Sequence, residues 1–232
     1  MTGMKLQSRK NKDEAEKPFW ISFTDLMTAM MVLFLLTMTI SLLIVTRAIS
    51  EGVSERDKDI KEIMERIMVV AKDFPGIEIH GTKINFGERA KFETDSHQLT
   101  QVQARYLREF LPKVLQVAKS DIGNKWIKRI IIEGYADKRG TYLHNLNLSL
   151  QRSERVLCVL LANPEKGEPP LSAEDRLLIT KLFLVGGLSF NSVKESLEAS
   201  RRIELKLEFL EVGEKHPENN ISLDSDQICP LD

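Results

Sequence analysis

Two places in this chain put charged side chains where they could do chemistry. The first is Asp25, which sits inside the run FWISFTDLMTAMMVLFLLTMTISLLIVT, residues 19–46. A carboxylate at the middle of a membrane-crossing helix costs about 2.5–3.5 kcal/mol and less toward the ends, so its presence asks for a use. The use such a group has in a membrane is to bind and release ions as they pass. Small and hydroxyl side chains, Ser22, Thr28 and Ala29, fall one helical turn from Asp25 on the same face, with Ile21 and Val32 beside them. They let a second helix approach closely and offer hydrogen bonds to a neutral or ion-bound carboxyl. The second place is GYADKRGTYLHNLNLSLQRSERV, residues 134–156. There a strand ends at Gly134, a charged loop follows, and a helix begins near Asn145. A loop carboxylate, Asp137, and a helix guanidinium, Arg152, can then converge on one small zwitterionic ligand, the arginine through a bidentate pair. The alternative for these two is a structural ion pair at a loop–helix junction.

The elements that position these groups can be read from the pattern. Residues 19–46 would make about 40 Å of helix, more than the roughly 30 Å hydrocarbon core needs. No small-residue cleavage site follows, so the segment is expected to be a retained transmembrane helix, with Trp20 and Phe23 as interfacial anchors. Lys5, Arg9, Lys10, Lys12 and Lys17 precede it, whereas Arg47 and Arg56 are the first basic residues after it. The positive-inside rule then expects a cytoplasmic basic N-terminus, residues 1–18, and places the rest outside, in a bacterium the periplasm. Residues 47–76 are predicted as a connector helix stopped by Pro75-Gly76. Val53, Ile60, Met64, Ile67, Ala71 and Phe74 recur on steps of three and four, broken at Asp57. That seam fits a parallel dimeric coiled coil. Ile63, Met68 and Val70 widen it, which fits a helix packed on its own globular domain; both readings stay open.

Beyond residue 76 short alternating runs predict strands at Ile77–His80 and Lys83–Phe86 around Gly81, the apolar run KRIIIEG predicts a buried strand at Trp126–Glu133, and Lys181–Val185 and Arg202–Leu210 supply the remaining strands. Helices are predicted at Leu99–Lys119, with Pro112 a possible kink or early end, at Leu146–Leu161 and at Ser172–Thr180, capped by Ser172. This is an α+β domain of the α/β-sandwich kind over residues 77–212, followed by a polar tail, residues 213–232, expected to be disordered. Formal net charge is −1, which points to no nucleic-acid partner. Cys158 and Cys229 fit no metal spacing and are expected to be unpaired. His80, His97, His144 and His216 do not cluster, so no metal or catalytic site is expected. Glu133 and Asp137 flank a turn, but an isolated carboxylate pair does not make a hydrolase, and no enzyme is expected.

Two resemblances add to this. The run from Trp20 to Met31 with Phe34-Leu35 resembles the signature helix of flagellar stator B subunits. That resemblance implies that Asp25 accepts a translocated proton or sodium ion, with Ser22, Thr28 and Ala29 supporting the pathway and no other cofactor. It also implies a homodimer surrounded by a pentameric A-type multi-span motor subunit in the inner membrane. Asp137, Gly140, Asn145, Leu148, Ser149 and Arg152 resemble the pattern of the OmpA-like peptidoglycan-binding domain. There Asp137 would hold the ammonium and Arg152 the carboxylate of diaminopimelate, with Asn145 and Ser149 in support. Ala136, where threonine is usual, and Ser200, where asparagine is common, depart from it. The short connector and the wording FWISFTDLMTAMMVLFLL are most similar to the B subunit of the Zorya anti-phage defence system. This implies a peptidoglycan-anchored subunit of an ion-driven motor in antiviral defence. Alternatives are a flagellar-type stator subunit and a passive OmpA-like envelope tether.

Overall fold

Residues 17–71 contain one proline, at the second position where a helix tolerates it, and only Gly52 as an internal weak point, so nothing stops the helix between the apolar run and the connector. In the computed structural model of the chain they form one helix, α1 (Lys17–Ala71). The described residues are 17–161, 164, 170–217 and 229–231, with backbone alone for 17–22. The expected separate transmembrane and connector helices are therefore a single element. Between Phe23 and Glu51 every side chain of α1 is exposed, most of them large and apolar. Among the described residues this is the one helix long and apolar enough to cross a membrane.

Packing divides the chain between Val53 and Ser54, not at Pro75-Gly76. The last turns of α1 belong to the second unit, with Ile63 and Ile67 0% exposed and Met64 and Phe74 also in its core. Of the two readings of the connector seam, the structure takes packing on the chain's own domain. Polar contacts reinforce it within that unit: Arg56 Nε donates to the Leu210 carbonyl at 2.6 Å, and Trp126 Nε1 donates to Asp59 Oδ2 at 2.7 Å. Phe74 packs edge-on against Tyr106 and Phe110, with ring centroids 5.6 and 5.1 Å apart.

The domain continues with β1 (Glu78–His80) and β2 (Lys83–Asn85), a hairpin turning at Gly81 as expected. Helix α2 (Gln101–Lys119) opens on a Thr100–Gln103 capping box and runs unbroken through Pro112, burying Leu107, Phe110, Leu111, Val114 and Leu115. A short helix, α3 (Asp121–Trp126), not foreseen in the sequence, delays β3 to Ile127–Gly134. Helix α4 (Tyr142–Leu161) starts a turn earlier than expected. Then come α5 (Ala173–Leu182), capped by Ser172 as expected, β4 (Phe183–Gly187), the single turn α6 (Leu197–Ser200) and β5 (Ile203–Phe209). The strands lie in the order β1-β2-β5-β3-β4, with β3 and β4 parallel and the other pairs antiparallel. This is the expected α+β architecture, its core formed where Ile130, Ile132, Leu205 and Leu207 meet α2 and α4.

Two expectations need correction. Cys158 and Cys229 form a disulfide, with Cα atoms 5.3 Å apart. The tail expected to be loose is thus fastened: Cys229 is buried and the Leu231 carbonyl accepts from Arg155 Nη2 at 3.0 Å. The part of that tail from 218 to 228 lies outside the described residues, as does most of the 1–18 segment. If the seam serves the domain core, Ile67→Ala should destabilise the detergent-solubilised chain by about 2–5 kcal/mol in denaturant unfolding. Val69→Ala, on the exposed side of the same helix, should change stability by less than about 0.5 kcal/mol. Equal effects would contradict this packing.

Candidate functional site

The sequence places Gly134 at the end of β3 and Gly187 at the end of β4, and the fold uses both for a close approach. A Cβ on Gly134 would lie 1.9 Å from the Ser149 carbonyl oxygen, and one on Gly187 2.8 Å from the Leu150 nitrogen. Only with no side chain at these two positions can α4 settle this near the ends of the parallel strands. Ser149 completes the seam. Its Oγ donates to the Leu146 carbonyl at 2.8 Å and accepts from the Ser189 N–H at 3.0 Å. Ser149 therefore joins helix to loop and does not line the pocket described next, contrary to its expected role in ligand binding.

The seating of α4 carries Arg152 into the interior, where it is 0% exposed. Its Nε donates to the Ser96 carbonyl at 2.9 Å, Nη1 to that of Tyr135 at 2.8 Å and Nη2 to that of Glu93 at 3.0 Å. The guanidinium also lies 5.1 Å from the Phe92 ring centroid. Among the described residues no carboxylate comes within 4.0 Å of it. Burial, then the positive charge of Arg201, lowers its pKa to about 10. Of five N–H donors three are spent on carbonyls, which leaves two.

A pocket of about 240 Å³ opens beside it, lined by Thr94, Asp95, Asp137, Arg139, Gly140, His144, Asn145, Leu148 and Arg152. The structure thus brings Asp137, Asn145 and Arg152 to one cavity, as the sequence led us to expect. It does not pair Asp137 with Arg152. Asp137 instead takes Arg139, whose Nη2 lies 2.7 Å from Oδ2 and whose Nε and backbone N–H reach Oδ1 at 3.2 and 3.0 Å. Arg201 Nη1 adds a bond to Oδ2 at 3.2 Å. The Arg139 bonds foremost hold the Asp137 carboxyl down at about 2. Asn145 Nδ2 donates to the Arg139 carbonyl at 2.7 Å, which fixes the loop from the helix side.

Several site residues escaped sequence reasoning. Arg139 and Arg201 were visible only as charges in a loop and before a strand. His144, given no role, sits on the pocket rim with Nε2 2.7 Å from Asp95 Oδ1. Ser200 does have a supporting role despite departing from the family pattern: its Oγ accepts from the Lys194 N–H at 2.9 Å and donates to the Ser196 carbonyl. Ala136 makes its loop contact through the backbone, its N–H donating to the Ser189 carbonyl at 2.8 Å. Glu133 belongs elsewhere, bonded to Lys83 and Tyr135, so the Glu133–Asp137 pair does not form a site. In α1 the Thr28 hydroxyl donates to the Asp25 carbonyl at 2.9 Å rather than to its carboxylate, Ala29 is exposed, and the Ser22 side chain lies outside the described residues. Among the described residues no group of three or more His, Cys, Asp or Glu gathers as a metal site would require.

No protein-family profile matches the chain. The chain is 46% identical over 213 residues to the Zorya protein ZorB of Escherichia coli, a match that covers 89% of this chain and 87% of that protein. Among solved structures it overlaps the periplasmic domain of MotB at 16% identity, over 57% of this chain and 67% of that one, with a TM-score of 0.38. It overlaps the cell wall anchor of the T6SS from Pseudomonas aeruginosa at 17% identity, over 62% and 96%, with a TM-score of 0.37.

The lowered Asp137 pKa has a sign that can be tested. Its usual value of 3.8 falls to about 2 on folding, so its contribution to stability is present above about pH 4 and is lost as pH drops toward 2. Asp137→Asn should cost about 2 kcal/mol at pH 7, and the gap to wild type should close between pH 4 and 2 in denaturant unfolding. A gap that stays constant with pH would contradict the pairing.

Proposed function

Because the chain belongs to the family of the Zorya protein ZorB, we propose that it is the wall-anchored B subunit of an ion-driven motor in the inner membrane, serving anti-phage defence. The observation that carries the motor reading is Asp25, the one ionisable side chain between Phe23 and Thr46, on a stretch of α1 whose side chains are all exposed. A helix of that kind needs lipid or partner helices around it, and a single helix gives an ion pathway only one wall. The partners are a second copy of this chain and a multi-span, A-type subunit, pentameric by the stator resemblance. Asp25 takes and releases the proton or sodium ion. One charge moved through 100 mV is worth about 2.3 kcal/mol, enough to bias a conformational step.

The anchor is the pocket at Arg152. A buried guanidinium with two unspent N–H groups and no carboxylate in contact is suited to the carboxylate of a peptidoglycan stem residue, held as a bidentate pair. The disulfide supports the location, since such bonds persist in oxidising compartments such as the periplasm, and the basic flank of the helix argues for the same orientation. The rival reading is a passive envelope tether, which uses the pocket but has no need of Asp25. The flagellar-type stator is disfavoured by the absence of a long linker, because the wall-binding unit already begins at Ser54.

Asp25→Asn should abolish ion flux through the assembled complex and protection against phage while membrane insertion stays normal; retained flux and protection would leave the tether. For the anchor, Arg152→Ala should reduce co-sedimentation with purified peptidoglycan at least about tenfold, the worth of one charge-assisted pair. Circular dichroism of the same variant separates lost binding from lost folding.

A further inference from the structure

A second cavity, of about 570 Å³, opens beside the β1–β2 hairpin, the turn after β2 and the α6 segment ahead of β5. It shares no lining residue with the pocket at Arg152. Both lie at one end of the sheet, because Asn85 and Glu133 stand on either side of Glu204 in the strand register. A ridge of Phe92 and Arg201 divides them; both residues are buried, and Arg201 Nε donates to the Phe92 carbonyl at 2.9 Å. Lys91 lines the second cavity and Thr94 the first. Three residues of chain span about 11 Å at most, so the two openings are neighbours but separate sites.

The acidic side chains of the second lining are already engaged. Glu88 holds Lys91 at 3.0 Å, Glu198 lies 3.7 Å from Arg201 Nη2, and Glu78 accepts from Asn85 Nδ2 at 3.5 Å. Two cations keep donors unspent. Arg202 is 4% exposed; its Nε donates to Glu204 at 2.7 Å and its Nη1 to the Ser192 carbonyl at 3.2 Å. Its Nη2 has no hydrogen bond among the described residues. Lys194, exposed on the loop before α6, makes none through Nζ among those residues. Gly76 and Gly87 meet backbone to backbone, since a Cβ on Gly87 would lie 2.8 Å from the Gly76 carbonyl oxygen, so this part of the lining carries no bulk. A desolvated guanidinium edge with an ammonium on the same lining favours a carboxylate over a neutral group.

Resting on the wall-binding reading above, we propose that this cavity takes a carboxylate of a second peptide stem of the same peptidoglycan, so that the domain grips two stems at once. Arg202 is the buried contact and Lys194 the exposed one. Peptidoglycan repeats its acidic stems and joins them by cross-links, so a polymer held at Arg152 brings further carboxylates to the neighbouring opening. Linkage makes the second contact intramolecular, and two weak contacts then hold the wall more tightly than either alone.

The test is calorimetric titration of the full chain, solubilised in detergent, with two muropeptides released from purified peptidoglycan by a muramidase. One carries a single stem; the other is a cross-linked dimer with two. The wild-type chain should bind the dimer about tenfold or more tightly than the monomer. Lys194→Glu, on an exposed side chain without a partner to lose, should cancel that preference and leave the monomer affinity unchanged. Arg202→Gln should do the same, with circular dichroism to confirm the fold. The proposal is overturned if the wild-type chain binds both muropeptides alike, if Lys194→Glu keeps the preference for the dimer, or if it weakens both by the same factor. Each of those results leaves binding at Arg152 standing. If the wild-type chain binds neither muropeptide, the wall-binding reading falls and this inference falls with it.

Discussion

A fully buried guanidinium with no carboxylate in contact is costly, by several kcal/mol even after relaxation. At Arg152 the cost is offset by three backbone carbonyls and the face of Phe92. Those carbonyls come from the loop ahead of α2 and from the residue after β3, so one side chain ties the two segments together. The site's geometry follows from satisfying this one cation. It also explains the two strand-end glycines: α4 must approach closely enough for a side chain on its third turn to span from one loop to the other.

The sheet carries a second charged network, whose logic is complementary. In the β3–β5 register Glu133 stands opposite Glu204, a like-charge pairing that is unfavourable by itself. Lys83 resolves it, with Nζ 2.6 Å from Glu133 and 3.6 Å from Glu204, while Arg202 Nε lies 2.7 Å from Glu204. Tyr135 links the two networks. Its hydroxyl donates to Glu133, its ring stacks on Arg202 at 4.0 Å, and its carbonyl accepts from Arg152. Burial raises the phenol pKa further above its usual range, so this hydroxyl remains a donor at any working pH. The end of β3 is in this way held from both sides, by Arg202 on the Tyr135 ring and by Arg152 on the Tyr135 carbonyl.

Much of this was legible in the sequence because it depends on local pattern. An apolar run marked β3, alternation marked the β1–β2 hairpin, a 3.6-residue period marked α2 and α4, and Ser172 announced its helix. The pocket's main members were legible because a strand end, a loop and a helix start lie within a few residues of one another. What was not legible depends on distance along the chain. Cys158 and Cys229 are 71 residues apart, one in an apolar helix and one in a polar stretch, and no spacing predicts their meeting. Ser149 looked like a ligand because of its position in a motif, yet its hydroxyl is needed 40 residues later, at Ser189. The connector seam was ambiguous for a physical reason: a stripe that can bury itself against a copy can equally bury itself against its own domain. Pro112 misled because the helix, held by a buried apolar face, tolerates one missing hydrogen bond.

The last turns of α1 being part of the domain's interior has a consequence for how such proteins can be assembled in evolution. Pro75-Gly76 is the natural-looking seam at which a membrane anchor would be exchanged for another. A join made there would remove Ile63, Met64, Ile67 and Phe74 from the core and take one of the two rings packed against Phe110. The module that can be inherited or transplanted intact therefore begins near Ser54 and brings those four residues with it.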